Sequence, residues 1–543
     1  MAPTLIIVAS IIIFPFLTYY ATSSLFFRRA NNNSTGKAPP TIPYFIPGLF
    51  HAVSFTQSGA RKYFAELIKE YGTFAPFKVK AGPRSYVVLR DPTHIIRVLD
   101  APEHLTANTV KVEMFDKLFG SPRAAEHLHQ TEASDRNDHE VSTPEQLPFH
   151  IPDTTLASAT EVYISKLSAS MHDKMFQFDS WTRIEDLWSF LQLVLLRCTL
   201  DAFFGSALLK KYPKMIRDYL DFNAATEDFV HGMPRIMVSG ATKPRDRLHQ
   251  GMRSWLTATR AEIDETGEHN ADSVEDDSVW DEKTGLRFIC KHYNACKVDK
   301  VEEVNIRARA AEVLGIIHST NTGLVSSTFW MTIEIMRKSH LTRDMIASVV
   351  RHLSPITHKY DVLGLAQEPL AKSLQTEVRR LRTGTCVVRT NKTDGFPLDK
   401  QWSLPNGATV AIFSYDISLN TDVWKKIQPQ ALKKPLEEFW AERFMVPEQK
   451  SRSKKHVGVD TSGSATQDLG DLVTRLVACD QYPGSRFISA LQMATLAVLF
   501  AEFEVQLCDT EQVDAALPPI RESAYGTVKP LEKIAVRIRK RKT

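Results

Sequence analysis

The sequence predicts a mainly α protein with a minor β part, set behind one N-terminal transmembrane helix. Three observations predict it. The first 27 residues carry no charged side chain, and residues 5–27 are almost wholly apolar or small. Helical periodicity then dominates residues 155–260, 307–336, 341–352, 366–382 and 485–507. β patterning is confined to short stretches, 85–89, 385–390, 409–413 and 534–539.

A helix needs about 20 predominantly apolar residues to cross a bilayer, and the N-terminal stretch supplies them. Arg28 and Arg29 close it and favour a cytosolic body. Ala21-Thr22-Ser23 offers a weak cleavage site, but the stretch is long for a signal peptide and no basic residue precedes it. Residues 1–29 are therefore read as a membrane anchor. Residues 30–50 hold Pro39, Pro40, Pro43 and Pro47, which fix φ and remove donors, so a stiff extended hinge is expected there. Residues 51–543 are read as one domain.

Within that domain a strand at 85–89 leads into a helix at 92–99. Residues 121–152 are polar and read as a surface loop, as does the acidic run 264–282. Between them lies the helical region, with an apolar run at 188–204. The helix over 307–336 has no proline and no charge cluster in its middle, which marks it as a core element. Gly526 and Pro530 supply a bend before the last strand.

With 43% hydrophobic residues the 543-residue chain is ample for a large core, and no fixed-period repeat suggests a solenoid. Lys+Arg 67 against Asp+Glu 63 leaves a net charge of +4, which gives no argument for a nucleic-acid partner. The 6 cysteines (Cys198, Cys290, Cys296, Cys386, Cys479 and Cys508) are scattered without a C-x-x-C pair, so neither a disulfide framework nor a zinc site is indicated.

Two motifs carry more. Glu377-Val378-Arg379-Arg380 is an E-x-x-R turn whose charged ends share one helix face. Phe439-Trp440-Ala441-Glu442-Arg443-Phe444 follows. An E-x-x-R helix, then this meander, then an apolar helix near the C-terminus resembles the cytochrome P-450 (haem-thiolate) family. The resemblance runs from anchor to tail and departs at Ala441, where proline is usual. It implies a cytochrome P-450-like fold in which Glu377, Arg380 and Arg443 hold the core together, and an endoplasmic reticulum membrane location with the catalytic body in the cytosol.

In that family the middle of the long helix lines the substrate pocket and carries an acid-threonine pair. Here it reads Gly315-Ile316-Ile317-His318-Ser319-Thr320-Asn321-Thr322-Gly323, with Asn321-Thr322 and no acid. Asn321 followed by Phe329-Trp330 loosely resembles the subgroup with steroid 7α/12α-hydroxylases and prostacyclin synthase, at a longer spacing. His318, Thr320, Asn321 and Thr322 are the candidate catalytic donors; each also reads as a helix residue satisfied locally.

The haem-ligand loop F-x-x-G-x-R-x-C-x-G is degenerate. Its Phe, Gly, Arg and Cys correspond to Arg475, Ala478, Asp480 and Tyr482, with Pro483-Gly484 and Phe487 in register behind. Tyr482 thus stands at the metal-ligand position, and Cys479 lies three residues earlier as an alternative. Tyrosinate ligates haem iron in catalase, whereas a thiolate favours O–O cleavage.

The resemblance implies an enzyme with a lipophilic substrate, such as a terpenoid or another secondary metabolite. With the usual cysteine replaced, a non-oxidative isomerisation or cyclisation is expected, including a pericyclic, Diels-Alder-type step, with no haem required. Two alternatives stay open. One is a haem-dependent monooxygenase that uses Cys479 or Tyr482 and a membrane reductase. The other is a non-catalytic protein that binds a lipophilic ligand or a partner.

Overall fold

The computed structural model describes residues 2–71, 75–125, 151–172, 175–230, 239–266, 279–296, 298, 300–445, 472–473, 475–476 and 485–542. Along the chain we label the elements that position the site: α1 (Ala2–Asn31), α2 (Ala60–Glu70), β1 (Phe77–Ala81), β2 (Arg84–Leu89), β3 (Leu105–Thr106), α3 (Leu187–Phe204), α4 (Met215–Val230), α5 (Glu302–Met336), α6 (Pro369–Arg382), β4 (Cys386–Asn391), β5 (Thr409–Phe413) and α7 (Ser485–Ala501).

The 35-residue α5 is the axis of the body. Its apolar residues fall on every side, as a helix enclosed by protein requires, and Leu314, Leu324, Phe329, Trp330 and Ile333 are all inaccessible. Its hydroxyls bond back into the helix: Thr322 Oγ1 donates to His318 O and Ser327 Oγ to Gly323 O, each at 2.7 Å. Packed on α5 are α3, α6 and α7.

Among the described residues α3 is long and apolar enough to cross a membrane. It is a core helix, buried along Leu191, Leu195, Phe203 and Phe204. Asp186 caps its start by accepting from Ser189 N, and Gly205 at φ 72 ends it.

The minor β part is chiefly a five-stranded sheet in the order β1-β2-β5-β4-β3. β1 and β2 form an antiparallel hairpin, β2 runs parallel to β5, and β5 pairs antiparallel with β4. The proline-rich segment is strapped to this body: Ile42 N donates to Lys78 O at 2.9 Å and Lys37 N to Gln401 O at 2.9 Å. It is extended, as the prolines dictate, and pinned at both ends of its run. Helix α1 covers the expected anchor and has Arg28 and Arg29 in its last turn. Its second half meets the body through Tyr19 stacked on Phe45 and Phe26 against Tyr71, while Ile13, Phe14, Phe16 and Leu17 are exposed.

Three sequence expectations change. The helix expected over 485–507 stops at Ala501, and Phe503–Leu507 is a strand paired with Val536–Lys540. Its alternation of Phe503, Val505 and Leu507 with Glu504 and Gln506 has the strand period, which the long apolar run before it masks. The helix expected over 366–382 is split at Glu368, because Pro369 has no N–H to continue a helix and instead opens α6 at its first turn. The helical region 155–260 is interrupted by the strand Thr182–Ile184, which joins the same small sheet as Val536–Lys540. Most of the two expected surface loops, residues 126–150 and 267–278, lies outside the described residues.

Candidate functional site

The Glu-Arg-Arg cluster is fully enclosed. Glu377 Oε2 accepts from Arg380 Nε at 2.7 Å, and Oε1 accepts from Arg380 Nη2 at 2.9 Å, Arg443 Nε at 3.0 Å and Trp440 N at 3.1 Å. The guanidinium edges left over reach carbonyls: Arg380 Nη1 donates to Ser418 O at 3.2 Å, and Arg443 Nη2 to Pro435 O at 2.8 Å. Burial alone would push the Glu377 carboxyl up, but Arg380 and Arg443 overcome it and hold it below the ordinary range. Each charged group here is paired with an opposite charge and further hydrogen-bonded, which is the condition for burying charge. The cluster joins α6 to the meander.

A cavity of about 210 Å³ lies beside the middle of α5. One wall is α5 itself, through His318, Asn321, Thr322 and Val325. Trp188, Gln192 and Leu196 of α3 form the second wall, and Tyr219, Asn223 and Thr226 of α4 the third. The strand Gly526–Thr527, Lys529 and Arg61 of α2 complete the lining.

Of the four expected donors, three line this cavity and one does not. Thr320 is 5% exposed and is not among the lining residues, since its helix position points it away from the His318 face. Asn321 is committed at both ends of its amide, donating to Ile317 O at 2.9 Å and accepting from Thr199 Oγ1 at 3.0 Å. Thr322 keeps its hydroxyl proton in the helix, as above. His318 differs. Its ring packs among Phe119, Tyr219 and Phe222 at centroid separations of 5.9, 6.3 and 5.5 Å, and its Nδ1 is buried without a hydrogen-bond partner. Burial lowers its pKa to about 4, so the imidazole is neutral near pH 7.

Sequence reasoning missed Tyr219, whose hydroxyl is likewise buried without a partner. Burial pushes its pKa up, so it stays a phenol. Gln192, Asn223, Arg61 and Lys529 were missed as well. No motif marks any of them; they meet only because the fold brings distant helices together.

The haem implied by the resemblance needs a flat apolar slot and an axial ligand. On the side of α5 turned from the cavity, Ile316, Ser319 and Gly323 retain exposure. A Cβ at Gly323 would reach Ile488 Cδ1 of α7 at 3.5 Å. Tyr482 and Cys479 lie outside the described residues, as do Ala478 and Asp480. The described cysteines make poor thiolates: burial pushes Cys198 and Cys386 up to about 12, and raises Cys290 and Cys296 too, while Cys508 is exposed. Arg475, at the start of the degenerate motif, pairs with Asp100 at 2.6 Å. Among the described residues no group of three or more His, Cys, Asp and Glu side chains could hold a bare metal ion.

No family model matches the chain. Two curated relatives do. The chain is 27% identical over 531 residues to cytochrome P450 monooxygenase fsoE of Humicola fuscoatra, covering 93% of this chain and 88% of that protein. It is 24% identical over 534 residues to cytochrome P450 monooxygenase efuG of Hormonema carpetanum, covering 94% and 92%. Similarity sustained over both whole lengths, on a mainly helical fold with the enclosed Glu377-Arg380-Arg443 cluster, relates this chain to the cytochrome P450 family.

Proposed function

We propose that the protein is a cytochrome P450-scaffold enzyme that takes a lipophilic, oxygen-bearing substrate, of terpenoid or other secondary-metabolite type, into the cavity beside α5. The observation that carries this reading is the pair of orphan polar atoms on that cavity, Tyr219 Oη and His318 Nδ1. A buried polar group left unpaired costs about 1–3 kcal/mol. A substrate hydroxyl or carbonyl entering the cavity relieves both at once, which fixes its orientation. Tyr219 donates to the oxygen, and the neutral imidazole of His318 takes part without placing a charge in the cavity.

Haem-dependent monooxygenation is the reaction taken first, because both relatives carry that name over about nine-tenths of the chain. In this reading Cys479 or Tyr482 would be the axial ligand of a haem that would supply the oxygen chemistry, and a membrane reductase would supply electrons. A second reading, non-oxidative isomerisation or cyclisation, is favoured by a separate observation. The middle of α5 holds no carboxylate beside Thr322: Glu312 sits 3.6 Å from His292, and Glu334 is 3.3 Å from both Arg382 and Arg337. That leaves no acid on this helix turn to deliver protons, whereas Tyr219 and His318 suffice to polarise a substrate carbonyl. A third reading, a ligand- or partner-binding protein without turnover, needs only the cavity. For location, we read α1 as a single-pass endoplasmic reticulum anchor with the body in the cytosol, supported by its uncharged first 27 residues and exposed apolar side chains. Loss of membrane fractionation on deleting residues 1–29 tests it.

The function test is an absorption spectrum of the full-length, haem-supplied protein, oxidised and then reduced under carbon monoxide, with Cys479→Ala and Tyr482→Phe alongside. A Soret band at the thiolate-carbonyl position, lost in Cys479→Ala, supports monooxygenation. A Soret band elsewhere that is lost in Tyr482→Phe points to tyrosinate. No Soret band from the folded protein sinks monooxygenation and leaves the non-oxidative reading.

A further inference from the structure

The cavity lining is unbalanced in charge. It includes Arg61 and Lys529 and no aspartate or glutamate, and its one histidine is neutral. Both cations lie on the wall remote in sequence from α5. Arg61 is placed there by the backbone opposite: its Nη1 donates to Thr527 O at 3.4 Å. Gly526, at φ +100, makes room for it, since a Cβ at that position would fall 2.5 Å from Arg61 Cζ. Lys529 is exposed and lines the same cavity. Arg61 and Lys529 form a cationic end to a cavity whose uncharged remainder mixes apolar Trp188, Leu196 and Val325 with neutral polar side chains such as Gln192 and Asn223.

We propose that this cavity selects an anionic lipophile, a hydrophobic carboxylic acid whose carboxylate is held by Arg61 and Lys529 while its ring system or chain lies along α3 and α5 toward His318. The proposal rests on the cavity being the substrate site. A lining with two cations and no anion lowers the energy of a bound carboxylate, and hydrogen bonds from charged donors are about twice as strong as neutral ones. The neutral ester of the same acid keeps the apolar contacts and forfeits this end.

The test is equilibrium dialysis of the full-length protein with abietic acid and, separately, its methyl ester, at low salt and pH 7.5. The acid is expected to bind about tenfold more tightly than the ester, the size of one charge-assisted hydrogen bond. Arg61→Gln and Lys529→Gln are expected to shrink that ratio while ester affinity holds. Gly526→Ala, which displaces the Arg61 guanidinium without removing it, is expected to shrink it too. Equal binding of acid and ester overturns the proposal and leaves the lipophile cavity standing. A preference that persists unchanged in both charge variants overturns the assignment to Arg61 and Lys529. Binding of neither compound by protein with intact helical circular dichroism overturns both the proposal and the reading beneath it.

Discussion

Thr199 Oγ1 lies 3.0 Å from Asn321 Oδ1, and both residues are buried. The hydroxyl also lies 2.9 Å from Leu196 O, so one proton serves two acceptors across the α3–α5 contact. The Asn321 amide is consumed by this tie and by Ile317 O. It is therefore a brace between two core helices.

If so, Thr199→Val and Asn321→Leu each destabilise the protein by about 1–2 kcal/mol, the worth of one buried hydrogen bond with its partner stranded. The double variant costs less than the sum, because the two residues share the interaction. Urea unfolding of the four proteins checks this. A proton-relay role predicts instead that Asn321→Leu changes products or turnover with little loss of stability.

The Glu377 cluster predicts a larger effect. Glu377→Gln leaves two buried guanidinium groups facing a neutral amide, and breaking such a cluster costs about 3–5 kcal/mol. Because the folded pKa of Glu377 is held below its unfolded value near 4.3, its contribution is complete above that value. It is lost as pH falls through the folded pKa. Unfolding free energy measured from pH 7 down to pH 3 should fall steeply below about pH 4 in the parent. The variant should start lower and fall less.

The Glu377 cluster and the central helix were legible because their information is local. An i,i+3 charge pair, a short aromatic-arginine segment and an unbroken apolar helix are each contained within a few turns of chain. The cavity was only half legible for the converse reason. His318, Asn321 and Thr322 share one face of α5, but Tyr219 comes from α4 and Gln192 from α3. Arg61 meets Thr527 across 466 positions, and no pattern along the chain encodes that meeting. Thr320 was chosen by proximity in sequence; one residue on a helix turns a side chain by about 100°, enough to take it off the face. The strand Phe503–Leu507 was absorbed into α7 because apolar character runs unbroken across the boundary and only the change of period marks it.

The end of α3 depends on glycine at two points. Gly285 adopts φ +76, and a Cβ there would lie 2.3 Å from the Phe203 carbonyl. Gly205 adopts φ +72 against the Glu282 carbonyl at the same separation. Backbone atoms cannot yield as a flexible side chain can, and Trp280 Nε1 fixes the same junction by donating to Ala202 O at 2.9 Å. Gly285→Ala is expected to cost about 3 kcal/mol, from overpacking plus the left-handed backbone penalty. Thermal unfolding followed by circular dichroism reads it. A change below about 0.5 kcal/mol, the range of a neutral surface substitution, would show that the turn relaxes.

His318 gives the last prediction, and it is one of pH. Its folded pKa near 4 lies below the unfolded value of about 6.5 because the ring is enclosed by Phe119, Tyr219 and Phe222. Between those two values the unfolded chain binds a proton that the folded ring refuses, so stability is full above about pH 6.5 and declines as pH falls toward 4. The decline attributable to this residue is about 2–3 kcal/mol, less if the open cavity admits water to the ring. Unfolding free energies at pH 5.0 and 7.0 for the parent and for His318→Gln separate it from other titrating groups: the parent loses that amount and the variant does not. If parent and variant lose the same amount, the ring is solvated in the folded protein. His318 would then titrate as an ordinary surface histidine and could not serve as the neutral polar partner assigned to it in the cavity.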